Sequence, residues 1–320
     1  MTVLRAPAAA LAWLGRQGTR AIAALVFAGI AVPPLDRLLK PFVAEAIFVL
    51  LCIAFLRVEP AALRGYVGRP GLVLAATAWT MLVIPVLFGV TCLVLGLDTR
   101  APDLFLALML QAVASPMMAA PSFAALLGLD ATLVLAALVA SSALTSFTAP
   151  VFAYAFIGSA LTLSALALGL RLFVILAGSA LLAAAIRRLA GPAAIARHRD
   201  EIDGFNVLVL FVFVAAVMEN VAASVVTTPR AVLGLAAVAF AAFLVNLGLT
   251  TLVFAGAGRE RALALGFMAA QRNLGLMVAA AGALPDLAWL YFALSQLPVY
   301  LSPQLLKPLT RRMLLEGAKR

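Results

Sequence analysis

Apolar positions in this chain do not recur at the spacing of a single helix face. They come in long, nearly unbroken runs, separated by clusters of Pro, Gly and charged residues. A run of about 18 or more apolar residues is long enough to cross a bilayer as a helix. Marking each run by its punctuation predicts ten helical spans, at 20–35, 42–57, 71–97, 104–128, 131–156, 163–186, 204–224, 229–256, 261–284 and 287–306. The pattern predicts an all-α polytopic membrane protein with membrane lipid around it. Residues 1–19 form a lead-in to the first span and 311–320 a tail.

Composition agrees with the pattern. The 320 residues are 65% hydrophobic and only 11% charged, against about 25% charged in ordinary soluble domains. Ten spans put both termini on one side. Of the 23 Lys and Arg, seventeen fall in segments on that side and four (Arg37, Lys40, Arg100, Arg230) on the other. The positive-inside rule makes the termini cytoplasmic, with a bacterial inner membrane as the expected setting. The same rule accounts for the net charge of +10 and removes nucleic acid as a partner. Cys52 and Cys92 lie singly within apolar runs and read as packing residues. The longest hydrophilic stretch, Arg187 to Asp203, holds the one histidine, His198, and is placed near the midpoint as a hinge between two halves.

Those halves carry an echo. MAAPSFAALLG from Met118 and MAAQRNLGLMV from Met268 start 150 residues apart, in the fourth and ninth spans, and each leads into a polar interruption. Five spans per half force the second half to enter from the opposite face, giving two inverted five-helix repeats, 20–158 and 159–310. Paired interruptions in inverted repeats are a signature of secondary transporters. In the fourth span the interruption is read as Ser115-Pro116 followed by Pro121-Ser122, because each proline removes a backbone donor. In the ninth it is Gln271-Arg272-Asn273: three successive polar side chains cannot share one helical face. Arg272 stands near mid-membrane, where a charge is costly and marks function. An unwound segment there lets the three side chains converge on an anionic ligand.

Other polar positions are weaker candidates. Asn246 in the eighth span serves either as interhelical glue or as site. Gln296 and Tyr300, one turn apart, are candidate cavity liners. Ser141, Ser142, Thr145 and Ser146 form a hydroxyl cluster in the fifth span, with back-bonding to the helix as the plain alternative. Arg171 reaches for the outer boundary. Glu219 is the candidate proton-coupling group. No His, paired Asp or Ser-His constellation lies at depth, so an enzyme is not expected, nor is a cofactor.

With these residues in view, the chain resembles the bile acid:sodium symporter family. LRVEPAALRGYVGRPGLVLAATAWTMLVIP, from Leu56, looks like that family's link between the second and third spans. SPMMAAPSFAALLGLDATLVLAALVASSALTSFTAPVF looks like its broken fourth span, turn and hydroxyl-rich fifth span, and RNLGL like its ninth-span signature. The resemblance covers about residues 20–310. It implies a core of spans three to five and eight to ten, with broken helices 4 and 9 crossing, and a panel of the remaining spans. Organic anions would enter between core and panel, usually coupled to sodium. By position, Asn273 matches the signature asparagine and Ser122 or Pro121 the polar pair of the fourth-span break. Ser141 and Thr145 fall where sodium-ligating hydroxyls are supplied, and Thr80 near a polar amide of the third span.

The chain also departs from that pattern. Met268 stands where sodium-coupled members have a glutamate, and Arg272 where a glutamine is usual. The resulting expectation is a secondary-active transporter of a small organic anion, with Arg272 replacing the coupling sodium ion. The alternatives are a sodium-coupled symporter of bile-acid-like or other organic anions, and a non-transporting membrane sensor or scaffold. Substrate identity, direction and oligomeric state are left open by the sequence.

Overall fold

The computed structural model describes residues 5–17, 38–58, 70–158, 163–218 and 221–317. The predicted first span, 20–35, and Glu219 lie outside these residues. Among the described residues the chain is almost entirely helical, with no β-strand.

The helices are α1 (Arg5–Gln17), α2 (Val43–Arg57), α3 (Pro70–Val94), α4 (Pro102–Val113), α5 (Ala120–Leu126), α6 (Ala131–Ile157) and α7 (Ala165–Ala190). They continue with α8 (Pro192–Arg197), α9 (Arg199–Val217), α10 (Val221–Thr227), α11 (Pro229–Val253), α12 (Arg259–Ala270), α13 (Leu274–Ala281) and α14 (Asp286–Gly317). Four of them, α3, α6, α7 and α11, are long and apolar enough to cross a membrane. These helices turn large apolar side chains outward: Leu74 and Val90 on α3, Leu166 and Leu170 on α7, Leu233 and Leu252 on α11. Apolar exposure on this scale fits a lipid surround and supports membrane association. The predicted spans at 104–128 and 261–284 are each two half-helices, α4 with α5 and α12 with α13. At about 1.5 Å per residue, none of these halves, of 12, 7, 12 and 8 residues, crosses a bilayer alone.

The chain forms two compact units, one of residues 1–58 and 173–229, the other of 59–172 and 230–320. Each draws on both halves of the sequence. In the second unit, the apolar faces of α5, α6, α11 and α12 meet around Phe123, Leu133, Leu138, Phe243, Leu265 and Phe267. Met268 is fully buried in the same core. Asp130 caps α6, its Oδ1 accepting from the Leu133 N–H at 2.9 Å, and faces Arg261 at 4.0 Å.

In the first unit the lead-in is itself a helix, α1, packed along α9. Two glycines set the approach. An added Cβ at Gly204 would lie 1.9 Å from the Leu11 carbonyl oxygen, and one at Gly15 would lie 2.1 Å from that of Asp200. Arg16 pairs with Asp200 at 3.3 Å, Arg57 pairs with Asp203, and Arg187 donates to the Leu56 carbonyl. The stretch 187–203, expected to be a hinge, is helical except at Gly191 and His198. Arg187, Asp200 and Asp203 in it are tied to α1 and α2.

Gly204→Ala is expected to force α1 off α9, at an overpacking cost of about 1–3 kcal/mol. Thermal unfolding and the rate of tryptic cleavage at Arg16 measure it. Unchanged values in both would show that the glycine contact carries no stability.

Candidate functional site

The site is built from two places where helices stop. Ser115-Pro116 ends α4 because the residue before a proline disfavours the helical region, and Ala114 turns extended (ψ 145°). α12 ends at Gln271 (φ −85°, ψ 86°). The two interruptions pair as a single antiparallel bridge, Pro116 opposite Arg272. The Met117 N–H donates to the Gln271 carbonyl at 2.6 Å and the Asn273 N–H to the Ser115 carbonyl at 2.8 Å. In this register the bonds come from the neighbours of the facing pair, so the N–H that Pro116 lacks is not needed. Each interruption thereby satisfies backbone groups of the other that lipid could not.

Asn273 then starts α13 as its N-cap, its Oδ1 accepting from the Leu276 N–H at 3.1 Å. Pro121 sits in the first turn of α5, where a missing N–H costs nothing. The fourth-span interruption is therefore confined to 114–119. The expected second break at Pro121-Ser122 is absent, and Ser122 is an exposed residue of α5.

The polar side chains of the second interruption go to backbone carbonyls. Arg272 is 2% exposed. Its Nη1 donates to the Ala114 carbonyl at 2.8 Å, and Nη1 and Nη2 both reach the Thr80 carbonyl at 3.4 Å. Each acceptor has a covalent origin. Ala114 is the end of α4. Thr80 lies in a wide π-type turn of α3, Trp79–Val83, where the Ile84 N–H bonds to Trp79 instead, and Pro85 has no N–H to offer. Gln271, fully buried, donates through Nε2 to the Val299 carbonyl at 3.2 Å and to the Ser302 Oγ at 2.8 Å. Val299 is four residues before Pro303, so its carbonyl also lacks a helical donor. Ser302 completes this arrangement by donating to the same carbonyl at 3.0 Å.

Among the described residues, no carboxylate lies within 4.0 Å of Arg272, whose charge meets carbonyl dipoles alone. Among the described residues, further buried polar atoms of this unit have no partner: the hydroxyls of Thr77, Thr80, Ser115, Ser141 and Ser142, the Arg272 Nε and the Gln271 Oε1. The predicted sodium-region hydroxyls thus divide. Thr145 bonds back to the Ser141 carbonyl at 2.9 Å, whereas the Ser141 and Thr80 hydroxyls do not bond within the helix. A second unit charge about 5 Å from the guanidinium would be opposed by about 3 kcal/mol at an effective dielectric of about 20.

The remaining candidates lie apart from the bridge's hydrogen bonds. Asn246 donates to the Ala242 carbonyl of its own helix at 3.0 Å, and Gln296 to that of Phe292 at 3.2 Å. Tyr300 packs edge-on against Phe123 of α5 with ring centroids 6.5 Å apart. Arg171 is exposed, and its Nη1 would lie 3.2 Å from a Cβ added at Gly282, just past the end of α13. Sequence reading missed three contacts of this region: the Tyr291 hydroxyl on Gln111, Trp79 Nε1 on the Thr250 Oγ1 at 2.9 Å, and Gln271 on Ser302. For Gln271 the proline at 303 was the available signal, since it marks a carbonyl in search of a donor next to Ser302. Among the described residues, no group of three His, Cys, Asp or Glu stands together as a metal site. In comparisons with known proteins, no family model matches the chain and no curated relative is found.

Gln271→Met is expected to cost about 1–3 kcal/mol by removing two buried hydrogen bonds, to the Val299 carbonyl and to the Ser302 Oγ, and leaving that carbonyl to Ser302 alone. Pro303→Ala restores a helical N–H to that carbonyl, so in its background the same substitution should cost about 1 kcal/mol less. Thermal unfolding of the four variants of this cycle checks it, and strictly additive losses would count against the account of the carbonyl.

Proposed function

We propose that the protein is a secondary-active transporter that moves a small organic anion across a membrane by alternating access, with Arg272 in place of a coupling cation. The observation that carries this reading is the crossing itself: two interrupted helices bridged at their breaks, with a buried guanidinium held by carbonyl oxygens and, among the described residues, no carboxylate beside it. Carbonyl oxygens are also what a buried alkali ion would take as ligands. Here a covalently fixed charge occupies that role and favours an anion nearby. The positive N-terminal end of α13 adds to the same field.

The proposed organisation is ten spans in two inverted five-helix repeats, of the bile acid:sodium symporter type. Its support is the antiparallel sense of the bridge, which has the two interrupted segments running in opposite directions. The unit of 59–172 and 230–320 corresponds to the proposed core and the other unit to the panel. The proposed setting is a bacterial inner membrane with both termini cytoplasmic, supported by the charge bias alone. Sodium-coupled symport is the second reading, favoured by the unpartnered hydroxyl oxygens of Thr80 and Ser141. The repulsion from Arg272 opposes it.

A thermal-shift screen of purified protein against organic anions identifies a ligand, since binding to the folded state raises its stability. Uptake of that labelled anion into proteoliposomes is expected to persist when sodium is replaced at fixed membrane potential; its collapse would establish the symport reading instead. Arg272→Gln is expected to weaken anion binding by about 10–100-fold, the range of a lost charged interaction. Arg171→Gln, an exposed residue of α7 beside Gly282, should change it far less. Equal effects would remove Arg272 from its assigned role.

A further inference from the structure

Six buried donors of the second unit find no acceptor among the described residues: the Nε–H of Arg272 and the hydroxyls of Thr77, Thr80, Ser115, Ser141 and Ser142. None is more than 3% exposed. This is not the habit of the chain's hydroxyls. Thr145, Thr148, Thr227, Thr228 and Thr251 each donate to the carbonyl four residues back, as membrane-helix hydroxyls commonly do. The unpartnered set instead sits on elements that meet at the bridge. Thr80 belongs to the turn whose carbonyl touches Arg272, and Thr77 precedes that turn on α3. Ser115 is in the bridge, and Ser141 and Ser142 are on α6, which packs against the same turn. Buried polar groups in native proteins are nearly always satisfied, so a cluster of unsatisfied ones calls for a ligand.

Charge selects that ligand. A guanidinium removed from water needs a counter-charge, and the carbonyls at Ala114 and Thr80 supply only dipoles. We propose that the crossing holds one small monovalent anion, a halide, as the counter-ion of Arg272, bound by Nε–H and by hydroxyl donors of this set. Every member except the amide oxygen of Gln271 offers a hydrogen to an anion, and that oxygen needs one hydroxyl at most. The same fixed charge that repels an alkali cation attracts a halide with equal strength. Size selects further: with Arg272 and Ser115 sealed from solvent in this conformation, a monatomic ion demands the least room, and an organic carboxylate needs the opening that alternating access supplies. If the transport reading holds, on which this last step rests, the halide leaves as the organic anion arrives. The coupled process is then anion exchange, with charge conserved at the guanidinium.

The test uses the purified full-length protein in detergent and compares chloride with gluconate at equal ionic strength and equal sodium. Each tenfold rise in chloride above its Kd is expected to raise Tm by roughly 2–3 °C, with bromide acting alike. Arg272→Gln should abolish the chloride dependence. Ser115→Ala, which keeps the charge, should weaken it and so serves if Arg272→Gln does not fold. Identical Tm in chloride and gluconate, or undiminished dependence in both variants, would overturn the site. Halide stabilisation without any anion uptake would leave the site standing and remove the transport reading. Uptake without halide stabilisation would do the reverse.

Discussion

Two backbone hydrogen bonds, Met117 to Gln271 and Asn273 to Ser115, are the constraint on which the second unit depends. A helix that stops inside an apolar surround exposes amides and carbonyls that nothing nearby can solvate, at several kcal/mol for each group. One interruption would be untenable, whereas two that meet antiparallel solve the problem for each other. The bridge thus determines where both helices may break, and fixes four half-helix ends against one another. The cap at Asn273, the register of Pro116 and the placement of Arg272 all follow from that single pairing.

Proline chemistry supplies the second layer. Pro85 and Pro303 lie in α3 and α14, outside both interruptions, yet each removes one donor and leaves one carbonyl facing inward. The side chains of Arg272 and Gln271 answer those carbonyls across the core. The polar triplet that looks like an intrusion in an apolar run is therefore in large part the complement of imino acids placed about 190 residues before it and about 30 after it. A buried donor and a buried acceptor, each unfavourable alone, become neutral or better when they meet. What this pairing does not cancel is the unit charge of the guanidinium, and on the proposed reading that residue of electrostatics is what draws an anion to the crossing.

Much of this was legible in the sequence, but unevenly. The apolar runs give helices α3, α6, α7 and α11 with bounds close to those observed, because long uniform runs have few alternatives. Ser115-Pro116 and Gln271-Arg272-Asn273 announce interruptions through a missing donor and through polarity. That the two broken helices cross was expected from the family resemblance alone; the hydrogen-bonded register was not readable, since backbone hydrogen bonds between segments about 155 residues apart leave no trace in side-chain identity. Pro121 misled for a related reason: a proline looks the same whether it breaks a helix or begins one, and only the position of the preceding turn tells. Thr80 was noticed as a side chain, whereas what matters about it is a carbonyl freed by the proline five residues on. The stretch 187–203 read as a hinge because it is hydrophilic and lies near the midpoint, yet it is helical but for two residues, with Asp200 and Asp203 in ion pairs. The first predicted span and Glu219 fall outside the described residues.

The close seat of α1 on α9 has a temporal consequence. Leu11 and Gly15 leave the ribosome long before Gly204 exists, with 189 residues between the two glycines. At about 5–20 residues per second, that is a wait of roughly 10–40 s during synthesis. Throughout it, the groove-facing side of a short helix has nothing to pack on, and the glycines allow no looser substitute once its partner appears. Among the described helices of the first unit, α1 emerges before the partner that seats it, so its docking waits on the synthesis of α9.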